Sequence, residues 1–131
     1  MSKVKWLEVL KLNEDQLEDM RLAAYAYIRQ GKYEIALNLF EGLGILDPEN
    51  AYDAQTLGAL YIQLNQPQKA LVFLDRALKY DGDHTPTLIN LCKALFMLGR
   101  KEDGLRLARI LSKDPTPAIA NVAKALLLAF K

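Results

Sequence analysis

The segment GKYEIALNLF, residues 31–40, decides the fold because related segments return twice further along the chain. Its counterparts are NQPQKALVFL at residues 65–74 and GRKEDGLRLA at residues 99–108, so the spacing is 34 residues both times. A repeat that keeps its phase without insertion or deletion indicates one supersecondary unit stacked several times. The three repeated units are residues 17–50, 51–84 and 85–118.

Small residues recur in each unit on both sides of a residue that favours turns. Gly31, Asn65 and Gly99 occupy the turn position, and glycine and asparagine most readily adopt the left-handed conformation that ends a helix. Pro67 suits the first turn of the next helix, where its missing N–H costs nothing. Each unit is therefore predicted to be two closely packed helices. The small residues are Ala24, Gly58 and Cys92 before the turn, and Ala36, Ala70 and Gly104 after it.

Capping signals predict where the helices begin. Asn13 with Gln16 forms a plausible capping pair, so the first repeat helix is expected to begin near Glu14. Asn50 is predicted to cap the second unit, and Thr85, followed by proline, is predicted to cap the third. Outside the repeats, residues 4–12 are predicted to form a short helix and residues 117–130 a capping helix.

Composition narrows the function classes. Seventeen basic and sixteen acidic residues leave a net charge of +1, so no charge excess points to nucleic acid. No apolar run of about 18 residues could span a membrane. Residues 1–15 lack the continuous apolar core of a signal peptide, and a single cysteine, Cys92, favours a reducing compartment. We expect one cytoplasmic domain covering residues 1–131.

The repeat resembles the tetratricopeptide repeat, whose signature places small, aromatic, alanine and late proline residues at fixed offsets. The resemblance covers 102 of 131 residues. It implies an all-α fold, a right-handed α-solenoid of three helix pairs with flanking helices at both ends. The third unit keeps residue size but loses the aromatics. The matching residues are Ala24, Tyr27, Ala36, Phe40 and Pro48 in the first unit, Leu57, Gly58, Tyr61, Ala70 and Ala77 in the second, and Leu91, Cys92, Leu95, Gly104 and Leu111 in the third.

Stacked helix pairs of this family form a concave face lined by the first helix of each pair. We expect an apolar groove there, suited to an amphipathic helix or an extended apolar peptide, with basic residues selecting acidic flanks. The alternative is that Ile28, Ile62 and Phe96 pack between repeats, since apolar periodicity marks burial and not the partner. The predicted contact residues are Arg21, Tyr25, Ile28, Arg29, Tyr52, Ile62, Ile89, Lys93, Phe96 and Met97.

Two other kinds of site are not expected. A branch of the family binds the acidic C-termini of heat-shock chaperones with a two-carboxylate clamp, but only Arg21 keeps a charge at the corresponding positions. Catalysis is not expected either, because His84 is the only histidine and lies in a turn between units. No metal or cofactor is expected, and Cys92 fills a small-residue position as a buried thiol. The clamp positions are Arg21, Tyr25, Thr56, Pro86 and Asn90.

The run LFEGLGILDPENAYDAQTLGALYIQLNQ, residues 39–66, resembles bacterial type III secretion chaperones. That resemblance implies a chaperone that holds an aggregation- or polymerisation-prone secreted subunit in its groove before export. One class holds translocator subunits and can form homodimers through a longer first helix. The other holds the needle subunit, usually with a small helical co-chaperone. The short N-terminal extension favours the needle class.

A generic scaffold that joins two cellular proteins is the competing interpretation. It uses the same helix pairs and the same groove, so the repeat itself does not separate it from a secretion chaperone. Neighbouring genes for a secretion apparatus would favour the chaperone.

Overall fold

The computed structural model describes residues 12–130, which form seven α-helices and no strand. The helix predicted for residues 4–12 therefore lies outside the described residues, except for Leu12. The helices are α1 (Glu14–Arg29), α2 (Tyr33–Leu46), α3 (Ala51–Gln63), α4 (Pro67–Tyr80), α5 (Thr85–Met97), α6 (Lys101–Leu111) and α7 (Pro117–Phe130).

The helices stack in chain order, which confirms the predicted all-α solenoid. In the described part of the chain, each helix packs against its immediate neighbours in sequence, and further contacts join α1 to α3, α3 to α5 and α5 to α7. Such nearest-neighbour packing is the property of repeat solenoids. The first helices of the three pairs, together with α7, therefore form one continuous row.

The turn inside each helix pair depends on backbone conformation. Gly31, Asn65 and Gly99 have φ angles of 74°, 59° and 77°, in the left-handed region that glycine and asparagine tolerate best. The N–H of the following residue then bonds back to the preceding helix, as Gln66 N does to the carbonyl of Tyr61 at 2.8 Å. The prediction for these three positions is confirmed.

Helix starts agree with the sequence at two of three predicted caps. Asn13 and Gln16 form a complete capping box, and Asn50 accepts a bond from Asp53 N at 2.9 Å. The prediction for Thr85 is wrong, because Thr85 is the first helical residue and His84 is the N-cap. His84 is extended and its side chain makes no bond to the helix backbone, so the residue type at the N-cap position gave no capping signal.

Small residues bring the paired helices together. A Cβ atom built on Gly58 would lie 2.5 Å from Leu74 Cδ2, and one on Gly104 would lie 2.8 Å from the Phe96 ring. Cys92 is fully buried and its thiol donates to the Gly104 carbonyl at 3.3 Å. Burial raises the pKa of Cys92 to about 11, so its thiol stays protonated and acts as a small core residue.

Candidate functional site

A cavity of about 350 Å³ lies between α3, α5 and α7, on the row of first helices. Almost all of its surface is apolar. Four of its residues come from the predicted contact set, and two come from the C-terminal helix. The lining residues are Ile62, Lys93, Phe96, Met97, Leu126 and Phe130.

Phe96 forms the floor of this α3–α5–α7 cavity. Its ring stacks on Phe130, with 4.1 Å between ring centroids and 8° between the ring planes. Phe96 is only 8% exposed and its other side meets Gly104, so it is held from both directions. The residue therefore packs between helices and also presents its ring to the cavity, and its contact with a client stays a prediction.

The rim of the cavity is more accessible than its floor. Met97 is 41% exposed, and an unbranched thioether adapts readily to irregular apolar surfaces. Ile62 is half-buried on the opposite wall. Lys93 is also half-buried, and it is the only charged side chain that the described residues contribute to the cavity lining. The arrangement can hold apolar side chains and offers one cation beside them.

Arg21 does not belong to this surface, which corrects its predicted role. The side chain is buried, and its Nε and Nη2 donate to the two carboxylate oxygens of Asp53 at 2.8 Å each. Nη2 also donates to Asp47 at 2.7 Å. The bond to Asp53 raises the pKa of Arg21 above its ordinary value, although burial opposes this. Two internal carboxylates already neutralise Arg21, so it ties α1 to α3 instead of selecting a client.

Ile89 requires a second correction, because it is a core residue. It is 6% exposed and clusters with Leu111 and Ala123 from α6 and α7. Ile28 is half-buried and packs on the core of the first two repeats, whereas Arg29 is exposed at the end of α1. The α3–α5–α7 cavity therefore contains none of Ile28, Arg29 and Ile89.

Two tyrosines of the predicted set lie nearer the first repeat. The Tyr25 ring meets Phe40 edge-on at 5.2 Å, and its hydroxyl lies 3.3 Å from that of Thr56. Tyr52 is 64% exposed and meets the His84 ring edge-on at 5.6 Å. Both line the same row of helices as the cavity but are not part of it, so their contact with a partner stays a prediction.

The sequence did not predict that Leu126 and Phe130 would line this cavity. Both lie on the capping helix predicted for residues 117–130, where apolar residues indicate burial without indicating a second function. The available signal for a second contact was the length of the apolar pattern in this helix. It continues to Phe130, past Ala123, which is the fully buried residue that packs beside Leu111.

Nothing in the described residues indicates a metal site or a membrane span. No group of three potential ligands among histidine, cysteine, aspartate and glutamate is close enough to hold an ion within residues 12–130. His84 Nδ1 lies 2.7 Å from the hydroxyl of Thr87, as expected for a residue at a helix start. None of the helices α1 to α7 is long and apolar enough to cross a membrane.

Family comparison agrees with the repeat architecture. The sequence profile described as tetratricopeptide repeat matches residues 27–88 and 61–127. The chain belongs to the tetratricopeptide repeat family. A search of curated protein sequences found no significant match.

Several solved structures of this family share the fold over nearly their whole length. PcrH from Pseudomonas aeruginosa is 25% identical with a TM-score of 0.77, covering 91% of this chain and 94% of PcrH. PcrH in complex with the chaperone binding region of PopD is 24% identical with a TM-score of 0.79, covering 91% and 93%. The Yersinia enterocolitica type III secretion chaperone SycD, solved with a peptide of the translocator YopD, is 22% identical with a TM-score of 0.78, covering 91% and 95%.

Proposed function

We propose that this tetratricopeptide repeat protein is a chaperone of the type III secretion translocator class. It binds an apolar segment of a secreted subunit on the face formed by α3, α5 and α7, and keeps that segment covered in the cytoplasm before export. A subunit destined to insert into a membrane carries exposed apolar surface, which aggregates in water unless a partner covers it.

The α3–α5–α7 cavity is the observation that carries this proposal. It offers apolar walls from three helices, an adaptable rim residue in Met97 and a rigid floor in Phe96. Apolar helix anchors or alternate residues of an extended peptide suit such a surface. An interface of about 1,600 Å² in total is enough for stable, reversible association, and the neighbouring tyrosines Tyr25 and Tyr52 would extend the contact along the row.

The solved relatives support the translocator class over the needle class. PcrH and SycD were solved with segments of PopD and YopD, and both match this chain over more than nine-tenths of its length. The short N-terminal extension had favoured the needle class. We give the fold match more weight, because it extends over more than nine-tenths of the chain, whereas the extension concerns only a few residues.

A heat-shock peptide clamp finds no support. Such a clamp needs free cations on the row of first helices. Arg21, the one charged residue at the clamp positions, is already bonded to Asp53 and Asp47. A carboxylate ligand would have to displace both.

Co-expression tests the proposal. The chain is co-expressed with each translocator subunit encoded near its gene, and the soluble, co-purified fraction of the subunit is measured. We expect the wild-type chain to keep one such subunit soluble, and Met97→Glu to abolish co-purification because it puts a charge at the rim of an apolar cavity.

Val72→Glu provides the matched control, because Val72 is 58% exposed on α4 and does not line the cavity. It should leave co-purification unchanged, and both variants should keep the wild-type circular dichroism spectrum. Failure of the wild-type chain to solubilise any neighbouring translocator subunit would contradict the chaperone function and favour a generic scaffold.

A further inference from the structure

Lys93 is a basic residue that lies beside an apolar cavity. It lies on α5, is half-buried, and among residues 12–130 is the only charged residue that lines the α3–α5–α7 cavity. Within residues 12–130, the ion pairs involve Arg21, Arg100 and Arg106 as the cations, and none involves Lys93. A cation beside an apolar cavity that pairs with no carboxylate of residues 12–130 is expected to attract an anion from a bound partner.

The other predicted selectors of acidic segments do not share this property. Arg21 is neutralised by Asp53 and Asp47 and lies between α1 and α3. Arg29 is exposed at the end of α1, where water screens its charge. Within the described part of the chain, Lys93 is therefore the one cation that adjoins the cavity.

The volume of the cavity limits how many side chains of a partner it can hold. An apolar cavity of about 150 Å³ can hold a benzene molecule, so about 350 Å³ has room for roughly two large apolar side chains. Residues one helical turn apart, or alternate residues of an extended segment, would place two such side chains together. A carboxylate on the same segment, within about one turn of the buried pair, would then reach the Lys93 ammonium.

We propose that Lys93 makes this cavity selective for client segments that carry an aspartate or glutamate beside their buried apolar pair. The proposal rests on the chaperone function proposed above and specifies the chemistry of the client. The apolar walls supply affinity for any suitable pair of side chains, whereas the ion pair with Lys93 discriminates among them.

A peptide array measures this selectivity. Each synthetic peptide carries two apolar residues, either one helical turn apart or at alternate positions, in all combinations of Leu, Ile, Val, Met and Phe. Each acidic member has a partner in which Asp is replaced by Asn or Glu by Gln, so that shape is kept and charge is removed. For the purified wild-type chain, we expect the acidic member to bind about two- to fivefold more tightly than its amide partner, as a partly screened ion pair provides.

Three variants attribute the preference to Lys93. Lys93→Met keeps the apolar stem and should bring the ratio of the two affinities to about one, with little loss in binding of the amide peptides. Lys93→Arg keeps the charge and should keep the preference. Lys124→Met makes the same change at an exposed position of α7 outside the cavity, and it should leave the ratio at the wild-type value.

The outcomes separate the two proposals. If peptides bind but acidic and amide members bind equally, or if Lys93→Met retains the preference, the role of Lys93 is contradicted and the apolar groove stands. If no peptide of the array binds the wild-type chain, the apolar cavity does not hold client segments and both proposals fail.

Salt provides a further check. In about 1 M salt, where the Debye length falls to about 3 Å, the ratio of the acidic to the amide affinity for the wild-type chain should fall toward one.

Discussion

From the sequence, Arg21 could be either a cation that binds a ligand or one that pairs within its own chain. Its helical position places it on the row of first helices, where a cation is expected to meet a ligand. The structure instead brings Asp53, 32 residues later, against both of its nitrogens Nε and Nη2. This pairing depends on how α1 and α3 are rotated about their axes, and helical periodicity does not supply that information.

Replacing Arg21 tests its structural role. Arg21→Met leaves Asp53, which is almost fully buried, without a counter-charge, and we expect a loss of about 3–5 kcal/mol in the free energy of unfolding. Arg29→Met removes an exposed cation from the same helix and should change stability by less than about 0.5 kcal/mol. Urea denaturation of both variants measures the difference. A fully stable Arg21→Met variant that no longer binds a client would return Arg21 to the binding surface.

At the scale of a helix pair, some helical glycines lie where two helices approach closely and others lie in open space, and the sequence identifies only the first kind. Gly58 lies where α3 and α4 approach most closely, and a Cβ there would come within 2.5 Å of Leu74. Gly42 lies in α2 with no heavy atom within 4 Å of such a Cβ. The repeat phase did predict the first, because Gly58 coincides with Ala24 and Cys92. It gave no indication of the second.

Alanine substitution at these two glycines should change stability in opposite directions. Gly42→Ala should stabilise the protein by roughly 0.5–1 kcal/mol, since alanine loses less backbone entropy in a helix. Gly58→Ala should destabilise it by about 1–3 kcal/mol, because Leu74 and the two helix axes must shift to admit the methyl group. Thermal unfolding of the pair tests this. A Gly58→Ala variant as stable as wild type would show that the close approach of α3 and α4 is not required.

For the whole molecule, the fold was accessible from the sequence because one period of 34 residues constrains every helix pair at once. The turn residues, the small packing positions and the capping box at Asn13 all follow from local chemistry and agree with the structure. The candidate site was only partly accessible. Ile62, Lys93, Phe96 and Met97 were predicted to face a client, and they do meet at one cavity.

The rest of the site could not be predicted because it depends on the packing of separate elements. Leu126 and Phe130 enter the cavity only because α7 packs beside α5 as well as α6. Ile89 leaves the predicted surface for the same reason, since α6 and α7 cover it. A stripe of apolar residues on the last helix signals burial, and the structure is needed to show what each residue covers.

Site-specific photocrosslinking tests most directly whether a client occupies the α3–α5–α7 cavity. A photoreactive phenylalanine analogue replaces either Met97, on the rim of the cavity, or Val72, exposed on α4, in a chain co-expressed with its translocator subunit. We predict that irradiation crosslinks the subunit to position 97 and not to position 72. Efficient crosslinking from position 72 with none from position 97 would contradict the account.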